Sequence, residues 1–265
     1  MSKLVRSSFY YTLKKIQGKD KYEEEKAKIH DIFAKKDGIY GYRRVYFEMR
    51  KEGYNLNHKT VQRLMQEMDL KSKIRVKRYN SYKGGDESRI APNVLNRDFK
   101  ASKPNEKWVT DITEFKLFGK KLYLSPILDL YNGEIISYEI NSRPVFDMVL
   151  EMLKKGLERK IEDDNLILHS DQGWHYRMEN YQKLLKENKI IQSMSRKGNC
   201  FDNAVMENFF GHLKSELFYL KKFESMEHFI RELKEYIDDW NNRRIKVKLN
   251  GLSPVQYRIQ SQLVA

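Results

Sequence analysis

Hydrophobic residues in the first third of the chain recur at the spacing of amphipathic helices. Residues 23 to 36 are densely charged with few apolar positions, which predicts a surface helix. Two stronger helices follow, and each has one apolar face because its hydrophobic residues fall at i, i+3, i+4 and i+7. These faces consist of Tyr42, Val45, Tyr46 and Met49 in one helix and of Val61, Leu64, Met65 and Met68 in the other.

The segment between these two helices carries an end signal for each. Gly53 is placed to end the first helix, and Asn57 is a favourable N-cap for the second. The pair therefore resembles a helix-turn-helix with an open turn. The outward side chains of the second helix can reach phosphates and base edges, or they form a solvated face on a small helical bundle. They are Lys59, Gln62, Arg63 and Gln66.

A basic, turn-rich segment separates this helical region from the rest of the chain. Residues 71 to 83 carry six Lys and Arg and no acid, and Gly84-Gly85-Asp86 and Pro92 interrupt any periodicity. Tyr79 and Tyr82 are placed to stack on bases or, as the alternative, belong to a solvated linker. We therefore place a helical region at 1–70, a basic linker at 71–103, an α/β domain at 104–225 and a helical extension at 226–265.

From residue 107 the pattern changes to strands. Alternation over 107 to 118, a Gly119-Lys120 turn and an apolar run from 122 to 131 predict a hairpin, and Asn132-Gly133 leads into a third strand at 134 to 141. Three meandering strands followed by α/β crossovers predict a mixed sheet with helices on both faces. This is the element order of a ribonuclease-H-like α/β fold. Its later elements are a helix at 146–160, a strand at 166–168, a helix at 180–188, a strand at 190–194 and a helix at about 203–220.

The composition indicates a polyanionic partner. The 265 residues include 51 Lys and Arg against 37 Asp and Glu, giving a net charge of +14 and a pI near 9.5, which favours nucleic acid. No apolar run approaches the roughly 18 residues of a spanning helix, and the start lacks the apolar region of a signal peptide, so we expect a soluble, intracellular protein. The single cysteine, Cys200, excludes an intrachain disulfide framework and a Cys-rich zinc site.

Three acidic residues stand where an α/β fold forms its sites. Between Asp111 and Asp171 there are 59 residues, and between Asp171 and Glu207 there are 35. On the predicted elements Asp111 lies within the first strand, Asp171 just past the fourth, and Glu207 on the last helix. Gly211 and Lys214 fall within roughly 40° of Glu207 on that helix. The glycine leaves room for a phosphate, and the lysine supplies a cation along the same stripe.

An acid-only triad suits metal-dependent phosphodiester chemistry. Two divalent cations about 3.5–4 Å apart can stabilise both the entering and the leaving oxygen of the reaction. Mg²⁺, or Mn²⁺ in its place, fits such a site because it prefers oxygen ligands and keeps waters and substrate phosphates in its shell. Without metal the carboxylates repel one another, so we expect at least one of them to have a raised pKa.

Other residues compete for these roles. Glu114 lies on the same predicted strand as Asp111, although period-2 alternation puts the two on opposite faces. His169 and His175 flank Asp171, where a histidine can bind metal but more often orients a neighbour or caps a loop. N-cap chemistry for the helix that carries the glutamate is predicted at Asp202 and Asn203.

Ordered sequence blocks along most of the chain carry a family resemblance. Three of them surround the acids: Trp108-Val-Thr-Asp111-Ile-Thr, His169-Ser-Asp171-Gln-Gly and Ser195-Arg-Lys-Gly-Asn-Cys-Phe-Asp-Asn-Ala-Val-Met-Glu207-Asn-Phe-Phe-Gly-His-Leu-Lys214. Others lie outside: Tyr40-Gly-Tyr-Arg-Arg44, Thr60-Val-Gln-Arg-Leu-Met65, Tyr236-Ile-Asp-Asp-Trp-Asn-Asn-Arg-Arg244 and Leu252-Ser-Pro254. Over about residues 38 to 258 the chain resembles the second-reading-frame transposases of the insertion-sequence-three family, within the DDE transposase and retroviral-integrase superfamily.

The resemblance implies roles for individual residues. Asp111, Asp171 and Glu207 are then the metal-binding catalytic triad of an integrase-type core, and Lys214 is the lysine that contacts DNA near the cleaved phosphate. Family enzymes use water to expose a 3′-OH at the end of the element and use that hydroxyl to attack another DNA strand. Trp240 stands where a tyrosine is common, a change that preserves aromatic packing. Further implied DNA contacts are Arg43, Arg44, Lys59, Arg63, Arg196 and Lys197.

The resemblance also implies partners and a location. The partners are the terminal inverted repeats of the element, target DNA, a second copy of the chain in the synaptic complex, and the upstream reading-frame protein or a fusion with it. The expected location is the bacterial cytoplasm, on the nucleoid, with no membrane partner. Two other functions stay open. They are a non-catalytic DNA-binding regulator derived from a transposase, against which the intact triad argues, and a ribonuclease H or resolvase, which needs neither the helix-turn-helix nor the carboxyl-terminal block.

Overall fold

The computed structural model describes residues 20–73, 89–160 and 165–264. They form two compact units, and the boundary between the units falls between residues 74 and 75. Tyr79, Tyr82 and most of the basic run at 71–83 lie outside the described residues. Within the described ranges, no helix combines the length and the apolar character needed to cross a membrane.

The described residues of the first unit form three helices: α1 (Glu23–Lys35), α2 (Tyr42–Lys51) and α3 (His58–Glu67). Their apolar faces meet in a small core, since side chains at i, i+3 and i+4 share one face of a helix. The fully buried side chains of this core are Ile29, Val45, Met49, Val61 and Leu64.

The turn between α2 and α3 follows the predicted end signals. Gly53 has a φ of +89°, a left-handed conformation that only glycine adopts without strain, and the N–H of Tyr54 donates to the carbonyl of Met49 at 2.9 Å. Asn57 caps α3, because its side-chain oxygen accepts the backbone N–H of Lys59 at 2.9 Å. Both end signals are confirmed.

A six-stranded mixed sheet forms the centre of the second unit. β1 and β2 pair in succession with one edge of β3, β4 pairs with the other edge, and β5 and β6 follow beyond β1. β1, β2 and β4 run antiparallel to β3, whereas β5 and β6 continue parallel to β1, which is the predicted meander followed by crossovers. The strands are β1 (Lys107–Thr110), β2 (Thr113–Leu117), β3 (Lys120–Asp129), β4 (Ile135–Asn141), β5 (Ile167–Ser170) and β6 (Ile191–Met194).

The strand predicted over 107–118 is divided in two at Asp111 and Ile112. The pairing register with β3 is the same on both sides of the break, which sets Pro126 opposite Asp111. Proline has no N–H to give to the ladder, and its carbonyl accepts the hydroxyl of Thr110 at 2.9 Å instead. Asp111 therefore lies at an interruption of the strand and not at its middle.

Helices cover both faces of the sheet. One hydrophobic cluster joins α4 and α5 to the face that carries Trp108, and the other joins α6 and α7 to the face that carries Val109 and Phe115. Because successive side chains of a strand alternate between faces, Asp111 shares the face of α6. The helices are α4 (Phe146–Leu157), α5 (Glu179–Glu187), α6 (Ala204–Leu213), α7 (Met226–Asn242) and α8 (Pro254–Val264).

The helix predicted over about 203–220 is not α-helical throughout. α6 ends at Leu213, and a π-helical turn continues the chain over Lys214–Phe218. Hydrophobic periodicity does not distinguish these two states, because one π-helical turn changes the register by a single residue.

The last part of the predicted linker lies against the sheet. Leu95 is buried, and the backbone N–H groups of Val94 and Leu95 donate to the hydroxyl of Ser193 in β6 at 2.9 and 3.0 Å. The segment therefore forms part of the second unit before β1 begins.

The turn between β3 and β4 anchors the carboxyl-terminal segment. Gly133 has a φ of +73°, as the predicted Asn132-Gly133 turn requires, and its carbonyl accepts the indole N–H of Trp240 at 2.9 Å. The buried carboxylate of Glu134 pairs with Arg159 at 2.6 Å and with Arg258 of α8 at 2.8 Å.

Candidate active site

Two aspartates stand side by side at the carboxyl ends of central strands. β1 and β5 are parallel neighbours, with Lys107–Val109 paired to Ile167–His169. Asp111 follows β1 and Asp171 follows β5, so the same register continued by two residues sets one aspartate beside the other. Neighbouring strands lie about 4.7–4.9 Å apart. Sheet topology therefore brings together two residues that are distant in the sequence.

Backbone groups hold both carboxylates. The N–H of Ile112 donates to Oδ1 of Asp111 at 2.7 Å, and the N–H of Gly173 donates to Oδ1 of Asp171 at 2.8 Å. Gly173 also packs closely on this carboxylate, because a Cβ at that position would lie 2.9 Å from the same oxygen. These contacts fix the direction of each side chain.

Burial and the repulsion between neighbouring acids shift the pKa values of the site. Burial raises the pKa of Asp111 well above its ordinary value, the charge of Asp171 raises it further, and Glu207 adds a smaller effect in the same direction. The ammonium of Lys214 acts on the pKa of Asp111 in the opposite sense. Burial also raises the pKa of Asp171. The expectation of at least one raised carboxylate pKa is met.

Glu207 lies on α6, and its charge acts on Asp111. Its side chain is exposed and lies in the first turn of the helix. The start of α6 is tied to the end of β1, since the side-chain amide of Asn203 donates to the carbonyl of Thr110 at 3.1 Å. The helix therefore begins beside Asp111, which explains why the charge of Glu207 acts on it.

Lys214 lies at the first position of the π-helical turn. Its Nζ is 5.7 Å from the ring centroid of Phe115, on the face of the sheet that carries Asp111. Burial lowers the pKa of Lys214, while Asp111 and Glu114 act to raise it. The charges of Asp171, Glu207 and Lys214 thus all act on Asp111. The N–H of Lys214 donates to the carbonyl of Phe210 as in an α-helix, so Glu207 and Lys214 keep the expected stripe, and the chain leaves the register of α6 only after Lys214.

The two histidines near Asp171 have protein partners. The buried ring of His169 contacts the hydroxyls of Ser193 and Ser195 at 2.8 and 3.1 Å, one at each nitrogen. Nε2 of His175 lies 2.8 Å from the carbonyl of Pro144. These contacts correspond to an orienting role, which the sequence favoured over metal binding.

The predicted N-cap of α6 is wrong in its mechanism. No side-chain cap hydrogen bond is made at Asn203, whose amide instead contacts β1. Asp202 is fully buried and binds the guanidinium of Arg196, a stronger interaction than a neutral cap. Of the two predicted DNA contacts on this loop, Arg196 is held by Asp202 and half exposed, and Lys197 is exposed.

The predicted DNA-contact residues of the first unit divide into two groups. Lys59 and Arg63 are exposed on α3, and Arg43 is exposed on α2. Arg44 is partly buried, with its guanidinium 5.4 Å from the ring centroid of Tyr40. Partial burial makes Arg44 the least available of the four.

One residue beside the acids carries no signal in the sequence. Tyr176 is buried, and burial followed by the charges of Asp111 and Asp171 raises the pKa of its hydroxyl well above the ordinary value. Its position in a short 3₁₀ turn after β5 gives it the same pattern as any core tyrosine. Only the folded chain brings it near the two aspartates.

The donor set of the site consists of carboxylate oxygens. Asp111, Asp171 and Glu207 offer the ligands that hard divalent cations take, and a cation would relieve the repulsion that raises the pKa of Asp111. In the part of the chain that the structure describes, no three or more His, Cys, Asp or Glu side chains are gathered as a metal site. The chemistry of the donors fits a divalent cation, whereas the closed ligand cluster is not formed.

Three family models match the chain. Residues 20–78 match an HTH-like domain, residues 101–200 match an integrase core domain, and residues 207–262 match a second integrase core domain model. Together with the mixed sheet and its flanking helices, these matches confirm the predicted ribonuclease-H-like fold and the helix-turn-helix module.

Curated relatives and solved structures give closer and more distant comparisons. The chain is 53% identical over 262 residues to the putative transposase InsK for insertion sequence element IS150 of Escherichia coli, covering 99% of this chain and 92% of that protein. It is 34% identical over 226 residues to the transposase InsF for insertion sequence IS3A of Escherichia coli, covering 85% and 78%. The HTLV-2 integrase catalytic core domain in complex with magnesium (trimeric form) superposes with a TM-score of 0.47 at 15% identity, covering 59% of this chain and 98% of that one.

Proposed function

The chain belongs to the insertion-sequence-three family of transposases, and on that basis we propose that it cleaves DNA at the ends of its element and joins the exposed 3′-OH to a second DNA strand. Asp111, Asp171, Glu207 and Lys214 form the site of both steps. The observation that carries the proposal is the parallel pairing that sets Asp111 beside Asp171, with the charges of Glu207 and Lys214 acting on Asp111.

The three acids are the proposed ligands of Mg²⁺, or of Mn²⁺, at two ions per site. When bound, such ions supply the positive charge that activates the attacking oxygen and stabilises the leaving oxygen. The chain contributes the carboxylates and holds two of them in place through the N–H groups of Ile112 and Gly173. This preorganisation matters because a site that is already oriented does not have to reorganise during the reaction.

Lys214 is the proposed phosphate contact beside the acids. Its partly buried ammonium gives a stronger interaction with a DNA phosphate than an exposed lysine, since water screens it less. Arg196 and Lys197, on the loop ahead of α6, extend this contact along the bound strand. In the first unit the proposed contacts to the inverted repeats and target DNA are Arg43, Arg44, Lys59 and Arg63, and the proposed assembly is a dimer on the nucleoid, with the upstream reading-frame protein as a further partner.

Strand transfer by the full chain tests the proposal. The substrate is a duplex that carries the inverted repeats flanking the gene, with Mg²⁺ or Mn²⁺ added. Asp111→Asn, Asp171→Asn and Glu207→Gln are each expected to lower the rate on the order of 10³-fold while duplex binding is retained. Glu151→Gln is the matched control, because Glu151 is exposed on α4, which covers the face of the sheet opposite α6, and it pairs with Lys154 at 2.8 Å.

Each outcome separates one function from another. Normal transfer by Glu207→Gln, or an equal loss in Glu151→Gln and Asp111→Asn, would contradict the assigned site. A wild-type chain that binds the duplex and never cuts it would be a DNA-binding regulator. Cleavage of an RNA–DNA hybrid without any transfer would identify a ribonuclease H.

A further inference from the structure

A buried ion pair holds the turn that carries Lys214. Glu216, in the same π-helical turn, accepts two hydrogen bonds from the guanidinium of Arg244, from Nη1 to Oε2 at 2.5 Å and from Nη2 to Oε1 at 2.7 Å. Both side chains are less than one tenth exposed, at 5% for Arg244 and 9% for Glu216. A two-point pair of this kind fixes orientation as well as position.

Two further groups complete the surroundings of Glu216. The hydroxyl of Tyr236 in α7 donates to Oε2 at 2.7 Å, and Nδ1 of His212 in α6 lies 3.1 Å from Oε1. Burial raises the pKa of Glu216. The hydrogen bonds to its carboxylate and the charge of Arg244 outweigh this effect and bring the pKa far below its ordinary value. The carboxylate is therefore charged and fully engaged by neighbours from α6, from α7 and from the segment that follows α7.

The π-helical turn begins at Lys214, whose own N–H still donates to the carbonyl of Phe210 in the register of α6. The N–H of Tyr219 donates to the carbonyl of Lys214 at 2.8 Å, the i to i+5 bond of a π-helix. This bond adds one residue to the turn, so the side chains that follow Lys214 leave the register of α6. Lys214 then contacts Phe115 and interacts with Asp111, and Glu216, two residues on, points to Arg244.

Arg244 is supported by the aromatic core behind it. Its guanidinium lies 4.6 Å from the ring centroid of Trp240, which is itself bonded to the carbonyl of Gly133. Since the charges of Arg244 and Glu216 cancel each other, their effect on Lys214 comes through the shape of the turn and not through their field.

We propose that Arg244 and Glu216 are positioning residues, which hold the π-helical turn so that the ammonium of Lys214 faces Asp111. The inference rests on the proposed function of Lys214 at the DNA phosphate and deepens it. It gives the carboxyl-terminal block Tyr236–Arg244 a role in the reaction, because Tyr236 and Arg244 both bond to Glu216 in that turn.

A double-mutant cycle between Arg244 and Lys214 tests the proposal. Single-turnover strand transfer by the full chain is expected to slow about 10- to 100-fold in Arg244→Gln, since a small displacement of a positioned group costs this much. The double variant Arg244→Gln, Lys214→Ala is expected to be no slower than Lys214→Ala alone, because Arg244 acts through Lys214. A purely structural role would make the two losses multiply.

Arg258 supplies the matched control. It too joins the carboxyl-terminal segment to a buried glutamate, Glu134, at 2.8 Å, but at the turn between β3 and β4. Arg258→Gln is expected to lower Tm as Arg244→Gln does, to change the transfer rate less than about threefold, and to combine independently with Lys214→Ala. If Arg244→Gln does not fold, Tyr236→Phe removes one hydrogen bond to Glu216 and is expected to show a smaller loss with the same non-additivity.

The outcomes distinguish a failure of this inference from a failure of the proposed function on which it rests. Independent, multiplying losses in Arg244→Gln and Lys214→Ala would overturn the positioning role and leave the proposed function standing. A normal rate in Lys214→Ala would remove the role of Lys214, and the inference with it. An inactive wild-type chain that binds the duplex would count against the proposed function itself.

Discussion

The carboxylate of Asp202 accepts three hydrogen bonds from Arg196, one from the backbone N–H at 3.0 Å and two from the guanidinium at 2.9 and 3.0 Å. Nε of Arg97 and the amide of Asn93 donate to the same carboxylate at 2.7 and 3.0 Å. The hydrogen bonds from Arg196 are the main reason why the pKa of Asp202 lies far below its ordinary value. Asp202 therefore ties the loop ahead of Glu207 to the segment that precedes β1.

Asp202→Asn is expected to lower the free energy of unfolding by about 1–3 kcal/mol, because a neutral amide has one accepting oxygen in place of two and loses the charge-assisted hydrogen bonds from both arginines. The loss is smaller than for a fully buried ion pair, since Arg97 and Arg196 are about half exposed. Urea unfolding at neutral pH measures it. In the control Asp238→Asn, whose pair with Arg243 is exposed on both sides, the expected change is within about 0.5 kcal/mol; similar losses in both variants would contradict the role of burial.

The buried carboxylate of Asp129 makes the stability of the fold depend on pH, in the direction opposite to that of a carboxylate with a lowered pKa such as Asp202. Burial raises its pKa from 3.8 to about 6, against the N–H groups of Asn105 and Tyr131, which donate to its carboxylate at 2.8 and 2.9 Å. A raised folded-state pKa favours the neutral form, so this contribution to stability is complete below the unfolded-state pKa and is lost as pH rises through about 6. From about pH 5 to pH 7.5 the loss is roughly 1 kcal/mol.

Comparison with Asp129→Asn isolates this contribution. The free energy of unfolding of the wild type, measured in urea at both pH values, is expected to fall by roughly 1 kcal/mol more than that of the variant. The Asp238→Asn protein, altered at an exposed acid, is expected to follow the wild type. An identical pH dependence in wild type and Asp129→Asn would show that the group titrates normally in the folded state.

Local patterns predicted the elements of the fold because helix and strand periodicity and turn residues act over a few positions. The end signals Gly53 and Asn57 are examples, because the hydrogen bonds that end α2 and begin α3 join residues at most five positions apart. The strand break at Asp111 could not be predicted in this way. It depends on Pro126, which the register of β3 brings opposite, and pairing register is a property of the folded sheet.

The candidate site, too, could be predicted from local patterns only in part, because the rest depends on long-range contacts. Sequence placed Asp171 at a strand end correctly, but its position beside Asp111 follows from the parallel pairing of β1 with β5. The ion pair between Glu216 and Arg244 joins residues 28 positions apart, and neither spacing nor composition selects one arginine among so many. Those long-range contacts hold the turn that begins at Lys214.

Trp240 provides a test of the carboxyl-terminal packing. Its indole N–H donates to the carbonyl of Gly133, and its ring meets Phe209 edge-on at 4.9 Å between centroids. Trp240→Tyr is expected to lower the free energy of unfolding by about 1–3 kcal/mol, because the hydrogen bond is lost and a smaller ring leaves space. Urea unfolding checks this against Trp174→Tyr, at a half-exposed tryptophan, where the change is expected to stay within about 0.5 kcal/mol. A loss confined to Trp174→Tyr would contradict the packing argument.

The exposed face of α3 carries the last prediction, which concerns DNA binding. Lys59→Ala is expected to weaken binding to any duplex and to reduce the slope of log K against log salt by about 0.9, the contribution of one phosphate contact. Arg63 pairs with Glu67 at 2.5 Å, so Glu67→Gln is expected to strengthen binding by releasing it. Titrations of a labelled duplex at several salt concentrations measure both. Lys35→Ala on α1, where the lysine pairs with Asp31 at 2.8 Å, is the control; equal slopes for the Lys59 and Lys35 variants would show that net charge, and not the face of α3, binds DNA.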